Sequence, residues 1–335
     1  MGTILSFGEV MMRLEPPDFR TLEQSDQLSY SFSGTGMNVL SGLSHFGHDT
    51  ALLTVLPENN LGRAAASAIR SLGIQSNALA FKGDYLGMYF LERGFGQRAS
   101  EVTYSNRIES SFCQSYLTDY GVDCFDDATH IHFCGISLAV STHTREMTLA
   151  MAKRAKTAGL TISFDCNYRA KLWKGGYEEA KPAYEHMLSL ADIVFMNEQD
   201  ARLILGLETQ CVSRSEQVEE LLPQVAMMYS ISLIAGTLRN NLSSNEQTIQ
   251  GFLVAENQTL FSNIQKLTIL DRIGGGDGFV SGILHGLFSK KDYQAMIEFA
   301  TAAGVLAHTT YGDSPRSTQQ QVERFLRNPL QDLER

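Results

Sequence analysis

From about residue 128 onward, apolar runs alternate with stretches of helical period. ATHIHFCGIS reads as a strand, and STHTREMTLAMAKRAKTAG as a helix opened by Ser141 and stopped by Gly159. LTISFDCN is a strand, GGYEEAKPAYEHMLSLA a helix around Pro182, DIVFMN a strand and EQDARLILG a short helix. SRSEQVEELLPQVAMMY supplies another helix and SISLIAGTLR another strand. Three helical stretches, around 276–290, 292–308 and 317–327, close the chain. Apolar strands separated by helices build βαβ units, whose sheet is mostly parallel and covered on both faces.

The first third starts in the same way. TILSFGEV and TALLTVL are strands, and MNVLSGLSHFG, stopped by Gly47, and LGRAAASAIRSLG are helices. Two β-rich pieces, about 11–32 and 85–111, interrupt this order, and within them YLGMYFLERG and VTYSNR alternate as strands with one covered face. They predict a small sheet that projects from the α/β body as a lid. Its uncovered apolar face would suit pairing with a second subunit, so a homodimer through the lid is expected. The predicted organisation is one domain over 1–335, with the lid formed by about 11–32 and 85–111.

Composition narrows the functional classes. Hydrophobic residues make 43% of the 335 and charged residues 19%, which excludes a disordered or fibrous chain. The formal charge of −10 argues against a nucleic-acid partner, and no apolar run reaches the ~20 residues that cross a bilayer. The start, MGTILSFGEV, has no basic region before its strand pattern, so no secretory signal is expected. Five cysteines, at 113, 124, 134, 166 and 211, form no CxxC pair, which points to a reduced, cytoplasmic setting. His130 and His132 share one face of a strand without a third ligand nearby, and read as a structural pair.

Chemistry gathers at the strand ends, where open α/β sheets bind ligands. LTISFDCN ends in Asp165 and Asn167, with Arg169 following; DIVFMN ends in Asn197, with Asp200 one turn on; SISLIAGTLR ends in Gly236, Thr237 and Arg239. Each could singly be a turn residue or helix cap, but three in register predict a site. In TILDRIGGGDGFVSGILHGLF a strand ends near Asp271, and Gly274, Gly275 and Gly276 lead into a helix at Asp277. Glycines there permit close backbone approach, and a helix N-terminus offers N–H donors to an anion. An aspartate would repel that anion unless it takes a proton from an attacking hydroxyl. By itself the motif is equally well read as a helix-start aspartate after a glycine turn. No GxxxxGK[ST] occurs, and GFGQRA at 94–99 opens no apolar-periodic helix, so neither a Walker loop nor a dinucleotide turn is expected.

These residues resemble the PfkB/ribokinase-like carbohydrate kinases. Asp271-Arg272-Ile273-Gly274-Gly275-Gly276-Asp277 is similar to the family's D-T-x-G-A-G-D, and Ser33-Gly34-Thr35-Gly36-Met37-Asn38 to its N-terminal signature. FGEVMMRLEP, FDCNYRAKLW and DRIGGGDGF resemble the members that act on 2-keto-3-deoxygluconate, although FDxNxRxxLW also occurs in fructokinase-like members. The resemblance implies a three-layer α/β/α sandwich and an ATP- and Mg²⁺-dependent kinase of a sugar or sugar acid. It implies Asp277 as catalytic base, with Gly274, Gly275 and Gly276 as the cradle of the transferred phosphoryl group. It places Gly34, Asn38, Tyr89, Tyr104, Arg107 and Arg169 at the sugar, and Asn197, Thr237, Arg239, Gly276, Gly304 and His308 at the nucleotide. Asp200 would act on the metal through water. Two departures stand out: the family's NxxE is NxxD here, and Arg272 replaces threonine, which leaves a monovalent-cation requirement open. Glycine in place of alanine at 275 is expected to add flexibility. A kinase of a neutral sugar is the nearest alternative. An NAD-dependent oxidoreductase lacks its glycine fingerprint here, and a non-catalytic sugar-binding regulator would have no use for Asp277.

Overall fold

The computed structural model describes residues 2–327. Met1 and residues 328–335, the extremes of the expected 1–335 span, lie outside the described residues. The chain begins β1 (Thr3–Phe7), β2 (Met11–Glu15), β3 (Ser29–Ser33), α1 (Thr35–His45), β4 (Thr50–Leu56), α2 (Asn60–Ser71) and β5 (Leu79–Phe81). It continues with β6 (Gly87–Glu92), β7 (Glu101–Ser105), β8 (Ala128–Cys134), α3 (Ile136–Ala139), α4 (Thr142–Thr157), β9 (Thr161–Asp165) and α5 (Gly176–Leu190). Then come β10 (Ile193–Phe195), α6 (Arg214–Tyr229), β11 (Leu233–Asn241), β12 (Glu246–Ala255), β13 (Gln258–Phe261) and β14 (Gln265–Thr268). Three helices follow, α7 (Gly275–Phe288), α8 (Tyr293–Ala307) and α9 (Gln319–Arg327).

The large sheet runs in the order β13-β12-β11-β10-β9-β8-β1-β4-β5, with β14 also paired to β12. Strands β11 through β5 in that order are mutually parallel, and β12, β13 and β14 add an antiparallel edge. Alternation along each strand builds two cores. Leu5, Phe7, Ile131, Phe133, Ile162 and Phe164 face α4 and α5. Ile4, Leu52, Phe195, Leu233 and Leu253 face α1, α7 and α8. The result is the three-layer arrangement, with helices on both faces of a mostly parallel sheet. His130 and His132 turn to the same face and share Ser163 Oγ at 2.8 Å each; burial holds both rings neutral, with pKa values pushed down to about 3. They are structural.

Local signals explain most boundaries. Ser141 Oγ accepts the Thr144 N–H at 3.0 Å and Ser213 caps α6 with Glu216 in reply, each such cap contributing about 1 kcal/mol. Gly159 ends α4 with φ 82° and Gly47 follows α1 with φ 89°, conformations that glycine adopts without a Cβ clash. One reading is corrected. ATHIHFCGIS is a strand only to Cys134, and the chain then turns into the single-turn α3, where Gly135 sits too close to the Cys166 carbonyl for a Cβ. EQDARLILG is helical over 198–204, as expected, with its Asp200–Ile204 stretch wound as a π helix.

A second sheet, in the order β3-β2-β6-β7, comes from the two β-rich pieces. Its inner face carries Met11, Tyr89 and Leu91, with Val102, Tyr104 and Ile273 packed against them. Ile273 belongs to the glycine motif, so the small sheet rests directly on that loop. On its other face Leu14 lies opposite Tyr30 and Phe90, and Tyr30 is exposed. GFGQRA forms the tip of the β6–β7 hairpin.

Candidate active site

Parallel order brings β9, β10 and β11 side by side, so the polar groups at their carboxyl ends line one cleft of about 320 Å³. Asp165, Asn167 and Arg169 enter from β9, Asn197 and Asp200 from β10, Thr237 from β11, and Gly276 from the start of α7.

Each glycine of the motif has its own task. Gly274 has φ 89°, and a Cβ on it would stand 1.9 Å from the Asp313 carbonyl oxygen. A Cβ on Gly275 would stand 1.9 Å from Nε2 of His308, so the expected gain in flexibility is corrected to a steric requirement. Gly276 has nothing within 4 Å of its Cβ position and faces the cleft. The turn therefore leaves the N-terminus of a 14-residue helix bare toward the cleft, a setting that attracts anions.

Asp277 sits in the first turn of α7 and is buried. Asn38 Nδ2 donates to its Oδ2 at 2.8 Å, and Ser314 Oγ donates to Asn38 Oδ1 at 2.9 Å, which fixes the orientation of the amide. Burial first, then the charges of Asp165 and Asp313, push the Asp277 carboxyl up to about 7, against the pull of Asn38 and Arg169. A carboxyl poised there can take a proton near neutral pH.

Two further carboxyls, Asp165 and Asp200, line the cleft itself. Asp165 accepts the Asn167 N–H at 3.1 Å, and Asn167, at φ 37°, leaves its buried Oδ1 without a partner. Asp200 accepts the Asn197 N–H at 2.9 Å while Asn197 Oδ1 accepts the Gln199 N–H at 2.8 Å. The shorter side chain at the family's glutamate position is thus folded back onto its own turn. Burial, Asp165 and Glu198 together hold Asp200 at about 7. Two residues beyond Thr237 on β11, Arg239 is pushed down to about 10 by burial and by Arg272, and neither guanidinium pairs with a carboxylate among the described residues.

The remaining residues expected at the sugar and the nucleotide pack against the protein itself. Gly34 fits because a Cβ would stand 2.1 Å from the Glu9 carbonyl oxygen. Tyr89 is buried, and its hydroxyl donates to Asp313, so it supports the wall of the site. Arg107 is buried too: its Nε donates to Glu9 Oε2 at 2.8 Å, and its guanidinium stacks 4.7 Å from the Tyr104 ring. Its Nη1 takes no partner. Gly304 and His308, expected beside adenine, are both buried under the glycine turn. His308 Nδ1 bonds to the Asp271 carbonyl at 2.9 Å, and burial together with Arg239 lowers its pKa to about 4. These two residues brace the turn instead of lining the cleft.

Glu9, Arg13, Asp313 and Ser314 were not singled out by sequence. For Arg13 a signal existed: in MMRLE it shares the inward parity of Met11, an unusual place for a cation. Asp313 and Ser314 lie in a loop whose partners are distant in sequence, so no local pattern marks them.

The family model for pfkB carbohydrate kinases matches residues 1–320. The crystal structure of a candidate 2-keto-3-deoxygluconate kinase from Enterococcus faecalis is 39% identical, with TM-score 0.94 over 100% of this chain and 99% of that one. That of 2-dehydro-3-deoxygluconokinase from Thermotoga maritima is 32% identical, with TM-score 0.92 over 96% and 97%. A 2-dehydro-3-deoxygalactonokinase from Haloferax volcanii is 28% identical over 97% of this chain and 96% of its own.

Proposed function

The chain belongs to the pfkB family of carbohydrate kinases, and from that premise we propose that it phosphorylates 2-keto-3-deoxygluconate with ATP, giving 2-keto-3-deoxy-6-phosphogluconate. In the reaction the sugar hydroxyl oxygen bonds to the γ-phosphorus, its proton passes to Asp277, and the bond to the β-phosphate oxygen breaks to release ADP. Phosphoryl transfer needs alignment and charge stabilisation more than covalent help. The bare start of α7 serves the developing charge on the phosphoryl oxygens, and Asn38 keeps Asp277 aimed. Thr237 and Arg239 flank the nucleotide, with Arg272 adding a second guanidinium beside Arg239. No monovalent cation enters the proposed reaction.

The residues present fit a hydrated divalent cation. Asp165 and Asp200 repel one another in a poorly solvated wall, and Asn167 Oδ1 lacks a partner. No three acidic, histidine or cysteine side chains converge for direct ligation among the described residues, which favours a hold through water. Mg²⁺ would supply charge neutralisation on the phosphates, with Asp165, Asn167, Asn197 and Asp200 holding its water shell.

One observation carries the choice of a sugar acid: the buried Arg107 guanidinium, anchored through Nε by Glu9, with Nη1 unsatisfied. An unpaired buried donor is costly, and a carboxylate is its natural complement. Charged hydrogen bonds contribute about 1.5–3 kcal/mol, so Arg107→Leu should lower kcat/KM for the keto acid roughly ten- to a hundredfold. A neutral sugar substrate should lose much less. Taking the ratio of the two rates cancels any loss of active enzyme, and an equal fall for both would refute the assignment. The small sheet is proposed to act as a lid over this sugar, and its Leu14, Tyr30 and Phe90 row to pair with a second copy of the chain.

A further inference from the structure

Arg13 is among the largest fully buried side chains, and it stands at the root of the small sheet. Its Nη2 donates to Asp271 Oδ2 and to Glu15 Oε2, each at 2.6 Å, and its Nη1 pairs with Asp313. Asp271 opens the glycine motif, and Asp313 is the residue whose carbonyl crowds Gly274. One guanidinium therefore ties together the two loops that set the turn.

Other bonds hold each loop locally, among them His308 Nδ1 to the Asp271 carbonyl at 2.9 Å and Ser41 Oγ to the Pro315 carbonyl at 2.7 Å, but Arg13 is the side chain that grips both carboxylates at once. The Gly312 N–H reaches Asp271 Oδ2 at 3.2 Å, and the Ile273 N–H reaches Oδ1 at 3.4 Å. Asp271 and Asp313 are both buried, and without a cation between them their charges oppose each other directly. The small sheet adds to the same knot, because Ser33 of β3 and Tyr89 of β6 also donate to Asp313. From there the path to the reacting groups is short: Ser314, next to Asp313, bonds Asn38, which bonds Asp277.

We propose that Arg13 is a positioning residue for phosphoryl transfer, fixing the glycine turn and the Asp277 carboxylate from the small sheet by bridging Asp271 and Asp313. Arg13 touches neither reactant. Its effect comes through geometry, and displacing reacting groups by about 1 Å can cost on the order of a hundredfold in rate. The single bridge also joins the sheet proposed to cover the sugar with the loop that meets the phosphoryl group.

The test uses the full chain carrying Arg13→Lys, which keeps the charge but loses the planar fork. Turnover is measured with ATP, Mg²⁺ and whichever sugar of a panel the unaltered protein phosphorylates fastest, so the result does not depend on the sugar acid. The expected result is a kcat lowered about ten- to a hundredfold with both KM values within about threefold, by the misalignment argument above. Amide hydrogen exchange, measured without ligands, should accelerate over residues 271–277 and 311–315 and stay unchanged in β8 and β9. If the lysine variant does not fold, Asp313→Asn cuts one arm of the bridge and should show the same pattern at smaller size. A kcat within twofold of the unaltered protein, a loss confined to KM, or exchange that rises uniformly through the sheet would each overturn the proposal.

Discussion

Asp277 takes its character from its neighbours more than from its place on a helix. Burial, Asp165 and Asp313 all disfavour its charge, which places its proton affinity near neutrality. The deprotonated form is the one that accepts a proton, so kcat/KM should climb with pH through about 7 and level off above it. Asp277→Asn should lower kcat by roughly 10² to 10⁴, the usual worth of a positioned base, with little change in nucleotide affinity. Near-normal turnover in that variant would return Asp277 to a mere helix-start residue. The glycines before it separate in the same way. Gly275→Ala meets His308, whose ring is locked by the Asp271 carbonyl, and should destabilise the fold by about 1–3 kcal/mol, as overpacking does. Gly276→Ala meets nothing and should leave the melting temperature unchanged while it lowers kcat, because its Cβ enters the cleft. Thermal melts of both variants, beside turnover of the second, check the distinction.

At the level of elements, the parallel strands and their helices were legible because apolar runs, caps and glycine stops coincide there. Ser141 and Gly159 bound α4 as expected, and the ends of β9, β10 and β11 do meet in one cleft. The antiparallel edge was not. EQTIQGFLVA begins with alternating polar residues and ends in a continuous apolar run, so β12 matches neither simple pattern, and β13 and β14 are only four residues each. Within the site, glycines and strand-end residues carry local signals. The protein partners of Tyr89, Arg107 and His308 lie 37 to 224 positions away in sequence, so no local pattern shows what holds these three side chains. The small sheet also leaves Leu14, Phe90 and the exposed Tyr30 in one cross-strand row. Light scattering at micromolar concentration should show a dimer that Tyr30→Asp weakens. A monomer in the unaltered protein would refute pairing through this face.

Taken whole, the molecule is acidic, yet the places proposed to meet anions rely on a helix start and on Arg107, Arg169, Arg239 and Arg272. Net charge therefore says little about the site, while the pairing of each cation says much: Arg13 and Arg107 are held by carboxylates, and Arg239 and Arg272 have no carboxylate partner among the described residues. The large sheet fixes where these groups converge, and the small sheet reaches them through Arg13 and Ile273. The most direct measurement is ADP release by the unaltered protein with ATP and Mg²⁺, run in parallel on 2-keto-3-deoxygluconate, its galactonate epimer, fructose and ribose. The predicted result is a kcat/KM highest for 2-keto-3-deoxygluconate and at least tenfold below it for the neutral sugars, from the charged hydrogen bonds of roughly 1.5–3 kcal/mol that only an acid can make with Arg107. A preference for fructose or ribose would contradict it.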